Sequence, residues 1–300
     1  MHKQLSGILV LDKPEGISSA RALAEAKRLL GADKAGHAGT LDPFATGLLI
    51  CCMGPATRLA RFFVQGRKTY DAVVRLGVTT DSLDLTGAVL NRTQVPELDR
   101  SALETIVRRF QGAQMQHPPV FAALKHQGTP LYKLARSGRP VQKPARPVEI
   151  FSIQVLEMQL PELRLRVTCS AGTYVRTLCA DIGAQIGCGG HLAGLRRIHS
   201  SGFGEHEAVG LDRLASMSRE QRRDLLIPMA DALRSMPKLD ADAALLADIA
   251  QGRTLNAERL SGIAGRPGDY LKVVDAGGGL RSVLQKTSDE SGYLYCCVFN

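Results

Sequence analysis

The 300-residue chain reads as α+β, with a large first domain over residues 1–236 and a small, mostly β second domain over residues 237–300. Strand patterns are many and helical ones few, which suits α+β better than a doubly wound sheet. The length favours two domains over one. The character of the chain also changes near Met236-Pro237.

Gly7 to Asp12 is an apolar run that predicts a buried strand, turned by Pro14-Glu15-Gly16. Ser18 or Ser19 can cap a helix whose apolar residues are Ala22, Leu23, Ala26, Leu29 and Leu30, with Gly31 ending it. A Gly-rich loop follows from Gly36 to Gly47. Tyr70 to Leu76 suits a strand that Gly77 breaks. Asp99 opens a helix in which Leu103, Ile106, Val107 and Phe110 share one face. From Gln111 to Pro147 the pattern is irregular and rich in proline, and long loops of this kind are functional or disordered. Leu163 to Cys169 alternates strictly, as a half-buried strand does. Thr173 can cap a helix carrying Val175, Leu178, Cys179, Ile182 and Ile186, ended by Gly187. Beyond Pro237 the sequence predicts a helix from Asp242 to Gln251, then strands around Tyr270–Val274 and Ser282–Lys286 joined by Gly277-Gly278-Gly279.

Lys and Arg number 38 against 29 Asp and Glu, a formal charge of +9. Eight of the cations (Arg108, Arg109, Lys125, Lys133, Arg136, Arg139, Lys143, Arg146) lie between Thr105 and Val148, which holds no acid; the remainder is 30 against 29. A local basic segment needs an acidic partner or a solvated loop. Hydrophobic residues make up 44% of the chain, too many for disorder. No apolar run is long enough to span a membrane. Met1-His2-Lys3-Gln4 gives no apolar leader before Gly7, so the chain reads as unexported and cytoplasmic. Seven cysteines, with neighbours at Cys51-Cys52 and Cys296-Cys297, suit reduced thiols. Cys188 and His191 offer two metal ligands, which do not close a zinc site.

Three stretches can carry chemistry. In Gly36–Leu49, three glycines clear the backbone for close approach, and Asp42 stands before Pro43, which biases it to an extended conformation. The loop fits a ligand site or a capped turn with Asp42 on local N–H groups. In Gly172-Thr-Tyr-Val-Arg176, a Thr173 cap would put Arg176 at the third helical position, against the positive end of the helix dipole. A carboxylate from elsewhere or a stretch into solvent would answer that. Tyr70, at the start of its strand, fits either a site or the core.

These stretches belong to a longer series. It comprises Leu11-Asp-Lys-Pro-Glu-Gly16, the Gly36–Leu49 block, Tyr70 with Leu76-Gly77 and Thr80-Asp81, His117-Pro-Pro with Ala123-Leu-Lys125, Pro130-Leu-Tyr-Lys-Leu-Ala-Arg136, Gly172–Arg176, and Gly190-His-Leu-Ala-Gly-Leu-Arg-Arg197. In this order, over about residues 7 to 200, they resemble the TruB family of tRNA pseudouridine synthases, in its bacterial stand-alone form. The resemblance implies a mixed, mainly antiparallel sheet flanked by helices and loops, and a C-terminal PUA-like RNA-binding domain. It implies that Asp42 is the catalytic aspartate, that Arg176 pairs with it, and that Tyr70 stacks on the target base and takes part in proton transfer. His37, Tyr174 and Leu195 match substrate-contacting positions. The segment 111–147 matches an RNA-gripping insertion, with Lys125, Tyr132, Lys133, Arg136 and Arg139 as contacts. The implied reaction is isomerisation of uridine 55 in the T arm of tRNA, without cofactor or metal, by a monomer with no obligatory protein partner. A tRNA-folding role is implied beside it. Two other readings compete: an RNA-folding protein with an idle site, and a synthase guided by a separate RNA in a larger particle. The intact set of Asp42, Tyr70 and Arg176 argues against the first, and the long insertion with a compact C-terminal domain against the second.

Overall fold

The computed structural model describes residues 5–255, 260, 266–288 and 292–299. Residues 1–4, read above as lacking an apolar leader, lie outside the described residues.

The chain starts with β1 (Gly7–Lys13), α1 (Ser19–Leu30), β2 (Ala35–Ala38) and β3 (Thr46–Met53). Ser18 caps α1 by accepting from the Arg21 N–H, and Gly31, at φ 66°, closes it, as the sequence predicts. β1 and β3 pair antiparallel from Gly7↔Met53 to Lys13↔Gly47. Both are buried on two faces. Ile8, Val10, Leu48, Ile50 and Cys52 face one core; Leu9, Leu11, Leu49, Cys51 and Met53 face another, against α1. A strand covered on both faces carries an unbroken apolar run with no period of two. Leu48–Met53 is such a run, and with no alternation to mark it the strand is hidden behind the Gly-rich loop that the sequence predicts up to Gly47.

Next come α2 (Ala60–Val64), β4 (Lys68–Leu76), the hairpin of β5 (Val78–Thr80) and β6 (Val89–Arg92), α3 (Arg100–Arg108) and β7 (Gly112–Gln116). Asp99 caps α3 through the Ala102 N–H. The basic insertion is more regular than its prolines predict. It contains the tight hairpin of β8 (Lys125–His126) and β9 (Thr129–Pro130), then α4 (Leu131–Arg136). β10 (Arg146–Gln159) leaves the insertion and is followed by β11 (Glu162–Cys169), α5 (Val175–Ile186) and β12 (Gly190–Ser200). The first part ends with β13 (Phe203–Gly204), β14 (Val209–Gly210), α6 (Leu211–Ser216), α7 (Arg219–Asp224) and α8 (Met229–Ala232).

The main sheet runs β14-β1-β3-β12-β4-β11-β10-β7, with β2 on β3 and β13 on β12. Only β1–β14 and β3–β12 pair parallel within it, so it is mixed and mainly antiparallel. β12 therefore lies between a parallel and an antiparallel neighbour. It has a bulge at Ala193 and another at Ile198. On the β4 side, Leu76, Val74, Ala72, Tyr70 and Lys68 lie opposite Gly190, Leu192, Leu195, Arg197 and Ser200. The bulge at Ala193 thus turns an even-numbered series into an odd-numbered one on the same face of the sheet.

A second sheet holds β15 (Lys238–Asp240), β16 (Tyr270–Val274), β17 (Leu280–Lys286) and β18 (Tyr293–Val298), in that order. Between β15 and β16 lies α9 (Ala243–Ala250), capped by Asp242. Val274, Leu280, Val283 and Phe299 share one core with Ile8, Val10 and Leu48. Burying an aliphatic side chain of this size contributes about 1.5–3 kcal/mol, so the two sheets are joined by apolar packing. Among the described residues no helix is long and apolar enough to cross a membrane. The seven cysteines are free thiols, five of them buried. Cys188 and His191 are each bonded to backbone carbonyls, of Gly189 and Val78.

Candidate active site

Asp42 lies on the loop between β2 and β3, and the loop is tied down on several sides. The Ser19 hydroxyl, from the first turn of α1, accepts from the Leu41 N–H at 2.8 Å and donates to the Leu41 carbonyl at 2.9 Å. The Pro43 carbonyl accepts from the Gly16 N–H at 2.9 Å and from Lys13 Nζ at 3.2 Å. Lys13 is wholly buried and also donates to the carbonyls of Pro14 and Ile17. Burial pushes its pKa down to about 8, against the pull of Asp42. Among the described residues no backbone N–H caps the Asp42 carboxylate. Its partner is Arg176, with Nε 3.2 Å from Oδ2. The capped-turn alternative is therefore set aside.

Arg176 is buried near the start of α5. The structure moves the cap by one residue: Tyr174, not Thr173, is the N-cap, and no side chain of its own caps the helix. Gln116 of β7 holds the cap residue itself, accepting from the Tyr174 N–H at 2.8 Å and donating to the Tyr174 carbonyl at 3.1 Å. Arg176 is thus the second helical residue. Its guanidinium reaches a second carboxylate, with Nη1 3.0 Å from Asp84 Oδ2, and donates to the carbonyls of Ser82 and Phe121. Two carboxylates answer the clash between this cation and the positive helix end.

The sequence reading missed Asp84. It is almost fully buried, and its Oδ1 accepts from the Ser82 hydroxyl, the Thr86 hydroxyl and the Thr86 N–H. Its backbone is bridged to Leu192 of β12. Leu83 before it adopts φ 63°, a conformation that costs of order 1–3 kcal/mol for a residue with a Cβ and clusters at functional sites. The signal available in the sequence was a carboxylate between Leu83 and Leu85, three residues beyond the Thr80-Asp81 pair.

Asp42 and Arg176 line a cleft of about 490 Å³ together with Tyr70, Tyr174, Leu195 and His37. Six predicted residues from four separate parts of the chain thus meet. Tyr70 is buried on β4, and burial raises its phenol pKa despite the opposing charge of Arg197. Tyr174 lies under the Arg146 guanidinium, 4.9 Å from the ring centroid. Burial lowers the pKa of His37, helped by Arg197, so its imidazole is neutral near pH 7; among the described residues its buried Nδ1 has no partner. For Asp42, burial raises the pKa first of all; Arg176 opposes this, Asp84 adds to it, and Lys13 opposes it. The result is a carboxylate held in one direction by an arginine, in a partly apolar cleft. Such a group can attack carbon or take a proton.

Lys125, Tyr132, Lys133, Arg136 and Arg139 lie outside this cleft, on the insertion. The insertion's own contribution to the lining is Ala123, Leu124 and, at its end, Arg146. Lys125, Lys133, Arg136 and Arg139 reach solvent. Among the described residues none of the four makes an ion pair.

The chain is similar to known proteins over most of its length. The model of the TruB family pseudouridylate synthase N-terminal domain matches residues 27–175, and that of the tRNA pseudouridylate synthase B C-terminal domain matches residues 176–234. The chain is 43% identical over 278 residues to tRNA pseudouridine synthase B of Burkholderia mallei (strain NCTC 10247), covering 91% of each protein. It is 44% identical over 255 residues to that of Xanthomonas campestris pv. campestris (strain B100), covering 84% of this chain and 83% of the relative. Among solved structures, the Cbf5-Nop10-Gar1 complex contains a chain with TM-score 0.76 at 26% identity, covering 99% of this chain and 84% of that one. On these matches, the chain belongs to the TruB family of pseudouridylate synthases.

Proposed function

We propose that the chain isomerises uridine 55 in the T arm of tRNA to pseudouridine, as a cytoplasmic monomer. The observation that carries this reading is the Asp42–Arg176–Asp84 line, in a cleft walled by Tyr70, Tyr174 and Leu195. The reaction breaks N1–C1′, forms C5–C1′, removes the C5 proton and returns a proton to N1. A stacked uridine cannot reach such a cleft, so the nucleotide is flipped out, at a cost of a few kcal/mol. Asp42 attacks C1′ or the base, or removes the C2′ proton on a glycal route; each step needs it ionised, and Arg176 favours that form. Tyr70 and Leu195 hold the detached uracil in a slot that excludes water, which keeps hydrolysis from competing. The solvent-facing cations of the insertion grip the T stem, and residues 237–300 act as a PUA-like second RNA-binding surface. A tRNA-folding role uses the same grip without the chemistry.

The purified chain alone, given an unmodified tRNA transcript labelled with tritium at C5 of uridine, is expected to release tritium from position 55. Asp42→Asn is expected to abolish release and keep tRNA binding and any folding activity. Unchanged release by Asp42→Asn overturns the assignment. Release that appears only with an added guide RNA favours the guided type, whose fold this chain shares.

A further inference from the structure

Arg197 is the largest of the fully buried side chains. Buried charges are normally paired, yet among the described residues no carboxylate pairs with this one. Its neighbour Lys68 is a second buried cation, tied to the carbonyls of Val64 and Gly66 at 2.8 and 2.7 Å. The charge of Arg197 helps burial to bring the Lys68 pKa down to about 8. Two adjoining cations under one cleft, without a counter-charge, are more than packing requires.

The contacts of Arg197 show what the guanidinium does. Nε donates to the Leu48 carbonyl at 2.6 Å, and Nη2 to the Gly39 carbonyl at 3.0 Å. These carbonyls stand on either side of Asp42, so one planar group holds both shoulders of its loop. The fit depends on two glycines. A Cβ on Gly47, at φ 99°, would lie 2.3 Å from the Arg197 carbonyl oxygen, and one on Gly39, at φ 85°, would lie 3.3 Å from Arg197 Nη1. Across the sheet, Arg197 lies directly opposite Tyr70, both line the cleft, and the Arg197 charge acts on the Tyr70 phenol against burial.

We propose that Arg197 is a positioning residue, which fixes the Asp42 loop at one distance from the strand that carries Tyr70, through its rigid fork of donors. It acts through those two groups and touches no substrate atom. This rests on the isomerase reading. Failure of the unaltered chain to turn over would sink that reading, whereas the variants below test Arg197 alone.

The test is a double-mutant cycle in single-turnover rate, with tRNA affinity and melting temperature measured on each protein. Arg197→Met is expected to slow turnover by about 100-fold, as misplaced catalytic groups do, with tRNA affinity unchanged. Arg197→Lys, which keeps the charge and loses the fork, is expected to fold and to be slow as well. In a Tyr70→Phe background either change is expected to add little, because groups that act as a unit do not lose activity multiplicatively. Full activity of Arg197→Lys overturns the proposal. So do losses that multiply across the two backgrounds, which mark a general structural role. If Arg197→Met does not fold, the Arg197→Lys cycle decides.

Discussion

Positive charge is used in two opposite ways in this molecule. Under the cleft, Lys13, Lys68, Arg176 and Arg197 are buried and bonded to carbonyls or carboxylates. On the insertion, Lys125, Lys133, Arg136 and Arg139 reach solvent and make no ion pairs among the described residues. Buried cations hold a geometry, and removing one leaves its partners stranded. Solvated ones lose little by being free and attract phosphate over distance, in a salt-dependent way. The same residue types are therefore locked in place in one region and left free in the other, and substitutions in the two regions should fail differently.

The largest expected effect is on the buried side. Arg176→Met leaves Asp84 buried without its partner, and loss of one member of a buried pair costs about 3–5 kcal/mol. Denaturant unfolding checks this, and a destabilisation below about 1 kcal/mol would show that the pair is not structural. Asp84→Asn keeps shape and removes one charge. It is expected to slow turnover by about 100-fold through loss of aim in Arg176, with tRNA affinity intact. The sign of its pH effect is fixed. Burial and Asp84 raise the Asp42 pKa, and the proposed reaction uses the ionised form, so kcat/KM is expected to fall on acidification at a pH above that of an ordinary aspartate. Removing Asp84 takes away one raising charge, so the acid limb moves to lower pH; a move to higher pH would contradict the arrangement. The smallest effect on chemistry is on the insertion. Replacing Lys133, Arg136 and Arg139 with Ala should leave single-turnover chemistry at saturating tRNA intact. It should also flatten the dependence of log Kd on log salt by about 0.7–0.9 for each phosphate no longer neutralised. An unchanged slope would remove the insertion from the RNA interface.

The two regions also differ in what the sequence reveals of them. Asp42 and Arg176 were legible because each sits in a short block with its own turn or helix start, and the charge run of the insertion shows in composition alone. β1 was legible as an apolar run bounded by a turn; β3 was not, since its run continues out of a Gly-rich loop. Asp84 and Arg197 were hidden for another reason. Their roles depend on which strands meet across the sheet, and no local pattern in Ser82–Leu85 or Leu195–Arg197 states that β12 runs beside both β3 and β4. The helix starts one residue later than a Thr173 cap predicts, with Gln116, remote in sequence, bonded to the N–H and carbonyl of Tyr174 at its boundary.

The bulge at Ala193 makes the site unusually sensitive to chain length. Upstream of it the inward series on β12 is even, Gly190 and Leu192; downstream it is odd, Leu195 and Arg197. Deleting Ala193 would restore a regular strand with nearly the same apolar content, and in doing so would exchange the two faces for everything on one side of the deletion. Leu195 would leave the slot and Arg197 would leave the Asp42 loop, or else Leu192 would leave the core. A single-residue insertion here acts in the same way, while a paired insertion and deletion preserves parity. The spacing between Leu192 and Leu195 is therefore under stricter constraint than the identity of the residues that fill it.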